Sequence, residues 1–141
     1  MNAVAAYSPL CTARSEFLLL RGLRMHLWCW GDAEQCTAQK PPLLLMHGWA
    51  DVGASFQFVV DALAQVEGPQ RCIIAPDWRG FGQSSASGSD AYWFADYLGD
   101  LDALIDHISP HSPVDLLGHS MGGNVVMSYA CLLYTSPSPR D

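Results

Sequence analysis

The stretch from Val114 to Ala130 restricts the fold more tightly than any other part of the chain. A short apolar run, Val114, Leu116 and Leu117, reads as a buried strand and leads directly into Gly118-His119-Ser120-Met121-Gly122. Beyond it, Met121, Val125 and Tyr129 recur at i, i+4 and i+8, one face of a helix. Strand must become helix across those few residues, which places Ser120 on a sharp turn with its hydroxyl clear of the backbone. Gly118 and Gly122 leave no side chain where strand and helix crowd together. A G-x-S-x-G carries meaning only in such a strand–turn–helix context. There, the Met121 N–H and the positive end of the helix would face charge developing on a substrate oxygen.

The preceding chain alternates in the same way. Residues 1–13 show no periodicity and are expected to form a flexible arm. Glu16 to Leu20 and Leu23 to Trp30, joined at Arg21-Gly22, read as a hairpin; the second strand sets Leu23, Met25, Leu27 and Cys29 against Arg24, His26, Trp28 and Trp30. After a polar loop ending in Pro41-Pro42, Leu43 to His47 is the continuous apolar run of a parallel strand covered on both faces. Phe56, Val59, Val60, Leu63 and Val66 predict an amphipathic helix with Gly68-Pro69 past its end. Arg71 to Ala75 is the next strand. Ser89 or Asp90 is placed to cap a helix whose stripe is Phe94, Tyr97, Leu98, Leu101, Leu104, Ile105 and Ile108, stopped by Ser109-Pro110. Strands alternating with helices require βαβ crossovers and a mostly parallel sheet.

Three motifs carry a resemblance. Gly118 to Gly122, followed by Gly123, resembles the nucleophile elbow of the α/β-hydrolase family. His47-Gly48-Trp49 is similar to the H-G-x that ends an earlier strand in that family. Pro76-Asp77-Trp78-Arg79-Gly80-Phe81-Gly82-Gln83-Ser84 is similar to its P-D-x-R-G-x-G-x-S loop. The resemblance covers roughly residues 16–130 and implies an α/β fold class. More closely, it implies the N-terminal half of an α/β-hydrolase fold, a hairpin followed by parallel βαβ units in an incomplete sheet. It further implies Ser120 as nucleophile, with the Trp49 and Met121 backbone N–H groups as the oxyanion hole. His47 also reads as a satisfied core histidine at a simple turn, and Asp77 and Arg79, close enough to pair or to bind loop backbone, read as structural rather than catalytic. Gly80 and Gly82 permit a tight turn; no helix follows them, so a dinucleotide loop is excluded. Trp49, Trp78 and Phe81 read equally as one wall of the site or as core.

The implied activity is serine hydrolysis of an ester, thioester or related small carbonyl compound through an acyl-enzyme. Ser in place of Asp at the elbow speaks against the family's haloalkane and epoxide branches. Cofactor-free haloperoxidase and carbon–carbon bond hydrolase chemistry stay open, as does a non-catalytic ligand receptor or interaction module. In the family the triad acid and His follow the serine. Here no histidine follows Ser120, and the only later carboxylic side chain is Asp141. His119 flanks the nucleophile, and His26, His107 and His111 precede it. The domain is therefore expected to span 14–130, truncated after the elbow and inactive as it stands. Residues 131–141, Cys131 to Asp141, match one reading frame of the transposon-end adapter used to prepare sequencing libraries, and are expected to be a non-native tail.

Composition adds exclusions. A formal net charge of -7 argues against nucleic acid or an anionic membrane as partner but does not identify a substrate; a small-molecule substrate is what the resemblance implies. Asp96, Asp100, Asp102 and Asp106 read as a solvated helix face. Five cysteines without a C-x-x-C predict reduced thiols, no metal and a cytoplasmic setting. No cofactor is expected. The N-terminus lacks a basic, apolar signal-peptide pattern.

Overall fold

The hairpin forms at Arg21-Gly22. In the computed structural model, which describes residues 5–68, 71–88 and 90–135, Arg21 and Gly22 both take left-handed backbone, φ 49° and 77°. That is the two-residue turn whose twist matches its strands. Strands β1 (Arg14–Leu20) and β2 (Leu23–Trp30) pair antiparallel from Leu20↔Leu23 out to Arg14↔Cys29. β1 thus begins two residues before Glu16. β2 is buried on both faces, Met25, Leu27 and Cys29 on one and His26 and Trp30 on the other, because an apolar layer lies on each side of the sheet.

Strands β3 (Leu43–Met46), β4 (Ile73–Pro76) and β5 (Asp115–Gly118) complete a five-stranded sheet of order β1-β2-β4-β3-β5. β4, β3 and β5 run parallel, and β2 meets β4 antiparallel. Every residue of β3 and β4 is buried, as continuous apolar runs require. From β3 the chain crosses to β4 on one side and then to β5 on the other, so the strand order reverses at β3. Crevices at the carboxyl ends of strands open at such a reversal. Among the described residues the sheet ends at β5, whose Leu117 is exposed.

Helices α1 (Gln57–Glu67), α2 (Phe94–Ile108) and α3 (Met121–Thr135) cover the sheet. One apolar layer joins Leu44, Met46 and Trp78 to Tyr97, Leu101 and Leu104 of α2 and Val125 and Tyr129 of α3. The other joins Trp30, Leu45 and Ala75 to Phe56 and Val60 below α1. Each fully buried Leu contributes about 1.5–3 kcal/mol by leaving water.

Four expectations are corrected. The apolar face of α1 is narrower than its sequence stripe: Phe56 and Val60 are buried, but Val59 is exposed and Val66 is 85% exposed. A 3₁₀ turn over Gly53–Phe56 carries Phe56 ahead of the helix and resets the phase of the face. The arm is tethered through residues 7–11. Asp61 of α1 accepts the Tyr7 hydroxyl and the N–H groups of Leu10 (3.1 Å) and Cys11 (3.2 Å). Asp90 does not cap α2; its φ is 51°, and the Asp96 carboxylate accepts the Trp93 N–H (3.1 Å) instead. Ser89 lies outside the described residues. The aspartates of α2 are not a solvated face either. Asp100 is 1% exposed, Asp96 is half-buried, and Asp102 accepts the Tyr129 hydroxyl (2.9 Å); only Asp106 is exposed.

Helix α3 extends past Ala130 to Thr135, since no helix breaker occurs before Pro137. Residues 136–141 lie outside the described part. No disulfide joins any of the five cysteines. No described helix is long and apolar enough to cross a membrane.

Candidate active site

Strand β5 leaves the sheet edge with its pairing intact. Met46 pairs with Gly118, and the His119 N–H donates to Met46 O (3.0 Å), continuing the ladder one residue further. Ser120 then takes φ 54°, left-handed backbone that an L side chain rarely adopts. Helix α3 starts at the next residue, with the Gly122 N–H on His119 O (3.0 Å) and the Asn124 N–H on Ser120 O (3.1 Å). The turn is closed by sterics. A Cβ on Gly122 would lie 2.1 Å from Met46 O, and one on Gly118 would lie 2.4 Å from Gly122 C. No side chain fits at either place. Ser120 itself is exposed. Met121, at the first position of α3, has no helical acceptor for its N–H.

The loop after β3 abuts this turn. A Cβ on Gly48 would lie 3.1 Å from Ser120 Cβ and 3.2 Å from His119 Nδ1. Trp49 follows, 64% exposed, its ring edge-on to Phe81 at 5.1 Å. Ala50 repeats the left-handed backbone, φ 57°. The loops after β3 and β5, side by side at the reversal point, thus each hold one strained non-glycine residue, and such strain clusters at functional sites.

His47 is fully buried with both ring nitrogens engaged: Nδ1–H donates to Gly48 O (2.7 Å), and Nε2 accepts the Trp78 N–H (2.9 Å). Burial pushes its pKa down, so the ring stays neutral and braces the loop. Trp78 is core, its indole N–H on His47 O (2.8 Å). Trp49 and Phe81 alone of the three aromatic residues reach the surface beside the turn.

Asp77 and Arg79 do not pair with each other. Asp77 is a buried hub: Oδ1 accepts the Gly53 N–H (2.8 Å), and Oδ2 accepts the Gln83 N–H (3.0 Å) and lies 2.9 Å from His26 Nδ1. Gly82, φ 53°, leaves room for that carboxylate, which a Cβ would meet at 2.2 Å. Arg79 grips Asp100 with two bonds (2.6 and 2.7 Å) and donates to Ala91 O (2.9 Å). The Asp100 bond pushes the Arg79 pKa up. Arg21 of the hairpin turn joins the same carboxylate at 2.9 Å. Gly80, φ 78°, stands against the Tyr92 ring. Both side chains hold the loop, and neither reaches the Ser120 turn.

Sequence reasoning set His26 aside as a strand residue. The structure joins it to Asp77 and to Ser15, whose Oγ lies 2.6 Å from His26 Nε2. The hairpin register carried half of that signal, since Phe17↔His26 puts Ser15 on the same face. Contact with Asp77 required the β2–β4 pairing, which no local pattern announces.

Among the described residues no group of three or more His, Cys, Asp or Glu is placed to hold a metal ion. A cavity of about 610 Å³ lined by Cys29, Cys36, Cys72 and Ile108 opens at the amino ends of the parallel strands, far from Ser120.

A family model described as the alpha/beta hydrolase fold matches residues 41–139. The soluble epoxide hydrolase of Corynebacterium sp. (strain C12) is 32% identical over 114 residues, 79% of this chain and 35% of that protein. The proline iminopeptidase of Lactobacillus helveticus is 35% identical over 96 residues, 67% of this chain and 32% of that protein. Among solved structures, the thioesterase domain from the curacin biosynthetic pathway superposes with TM-score 0.72 at 27% identity, covering 86% of this chain and 42% of that one. Epoxide hydrolase A from Mycobacterium thermoresistibile superposes with TM-score 0.71 at 28% identity, covering 87% and 36%. The chain spans about a third of the length of these curated relatives.

Proposed function

The chain belongs to the α/β-hydrolase family, and from that premise we propose that the whole protein is a serine hydrolase of an ester or related small carbonyl substrate, working through an acyl-enzyme. The observation that carries this reading is the left-handed backbone of Ser120, locked between two glycines that admit no Cβ. Strain of about 1–3 kcal/mol at an exposed serine has no structural use. It has a chemical one, since it presents Oγ at the head of a helix.

In the proposed mechanism Ser120 Oγ attacks the carbonyl carbon. The carbonyl oxygen gains negative charge and accepts from the Trp49 and Met121 N–H groups, and each such donor lowers the barrier by about 2.7–4 kcal/mol. The Oγ proton passes to a histidine, which returns it to the leaving group; water then releases the acyl group. That histidine is not one of the five here. His26 and His47 are buried with both nitrogens engaged, His119 flanks the nucleophile, and His107 and His111 lie on α2 and in the loop before β5. The 141 residues alone are therefore proposed to lack hydrolase turnover, and residues 131–141 to be foreign to the protein.

The proline iminopeptidase and thioesterase relatives bear names of acyl-group chemistry, which a serine at the elbow suits. The epoxide hydrolase likeness is carried by the shared scaffold. The test is fluorophosphonate labelling of the whole protein with peptide mapping. The adduct should sit on Ser120 and vanish in Ser120→Ala; a folded protein unlabelled at Ser120 would favour a ligand receptor.

A further inference from the structure

Away from the elbow, three strands bring together a second serine, histidine and aspartate. Ser15 of β1 is exposed, while His26 of β2 and Asp77, directly after β4, are buried. Ser15 Oγ stands 2.6 Å from His26 Nε2, and His26 Nδ1 stands 2.9 Å from Asp77 Oδ2. Asp77 also accepts two backbone N–H groups, from Gly53 and Gln83, so it serves purely as an acceptor. With Nδ1 donating to that carboxylate, Nε2 is the ring nitrogen that faces the Ser15 O–H. That is the order of nucleophile, base and orienting carboxylate that activates a serine.

We propose that Ser15 is a second nucleophilic serine, which takes an acyl or phosphonyl group from small activated electrophiles such as aryl esters and fluorophosphonates. His26 is its general base, and Asp77 is a positioning residue that holds the imidazole. Ser15 Oγ bonds to the acyl carbon or the phosphorus as its proton moves to His26 Nε2. The bond to aryloxide or fluoride breaks, the leaving group departs with that proton, and His26 returns to its neutral form. The product is a stable ester on Ser15. Every side chain that takes part in this chemistry precedes Gln83, and the chemistry is independent of the reading of Ser120.

The test uses the 141-residue protein carrying Ser120→Ala, a fluorophosphonate probe and peptide mapping by mass spectrometry. A single adduct is expected on Ser15, formed on the order of 100-fold faster than in the same chain unfolded in urea, the scale of general-base assistance. Ser15→Ala, a change at an exposed strand position, should abolish it. His26→Gln should slow it at least tenfold while circular dichroism shows the fold retained. If His26→Gln unfolds, the native-versus-urea ratio and Ser15→Ala decide. No adduct on Ser15 in the native chain, or one formed no faster than in urea, overturns the proposal. Adducts on Ser120 and Ser15 appear on different peptides, so failure at one says nothing of the other.

Discussion

Replacing Ser120 by glycine should make the protein more stable than replacing it by alanine. At φ 54° Ser120 carries a Cβ in the left-handed region, at a cost of about 1–2 kcal/mol. Alanine keeps that Cβ and the strain. The lost hydroxyl is exposed, so Ser120→Ala should sit near the parent. Glycine removes the strain but frees the unfolded chain, which returns about 0.4–1 kcal/mol. The net expectation is that Ser120→Gly exceeds Ser120→Ala by about 0.5–1 kcal/mol. For a domain of this size that is a rise of about 2–5 °C in Tm. In ordinary helical backbone the same comparison has the opposite sign, because glycine is then worse than alanine by about 1 kcal/mol. Thermal unfolding of the two variants followed by far-ultraviolet circular dichroism reads the sign directly. If Ser120→Gly melts below Ser120→Ala, the strained turn does not exist, and the enzymatic reading loses its support. Ala50→Gly, at φ 57°, is the matched control and should also raise Tm.

Other substitutions probe what surrounds the turn. Gly122→Ala drives a methyl to 2.1 Å from Met46 O, a backbone atom that cannot yield, and should cost about 3 kcal/mol in urea unfolding. Arg79→Met strands the buried Asp100 with only the half-exposed Arg21. Its cost should be about 3–5 kcal/mol, with much of it recovered in Arg79→Met/Asp100→Leu. Burial lowers the His47 pKa below its ordinary 6.5, so the unfolded chain takes up that proton first. The stability contributed by neutral His47 is complete above pH 6.5 and is lost as the pH falls, and the urea midpoint of His47→Gln should show a shallower decline. The hydrogen bond to Asp61 pushes the Tyr7 phenol up to about 12. Its contribution to holding the arm is complete below pH 10 and lost on the way to pH 12. A late step in the ultraviolet tyrosine titration should disappear in Tyr7→Phe.

How far the fold could be read from sequence follows from the range of the forces involved. Turn chemistry and apolar period are local, so the Arg21-Gly22 hairpin, β3 and the bounds and stop of α2 were legible before any coordinates. So was the strand–turn–helix placing of Ser120, because Gly118 records the crowding of β5 against the helix that follows it, whereas the clash at Gly122 is with the distant β3. What stayed hidden involves residues distant in sequence. Asp100 looks solvated along its own helix; only the approach of the loop after β4 turns it into the buried partner of Arg79. Val59 and Val66 fit an apolar stripe until the 3₁₀ turn before α1 shifts the phase, and Asp61 becomes the anchor for residues 7–11. Likewise Ser15 and His26 share a face of the hairpin, but Asp77, directly after β4, reaches them only through the β2–β4 pairing, which nothing local announces. The alternation of apolar residues determined which elements exist and where the elbow serine lies. The order of strands in the sheet, which depends on long-range pairing, decided which charges are buried and which side chains meet.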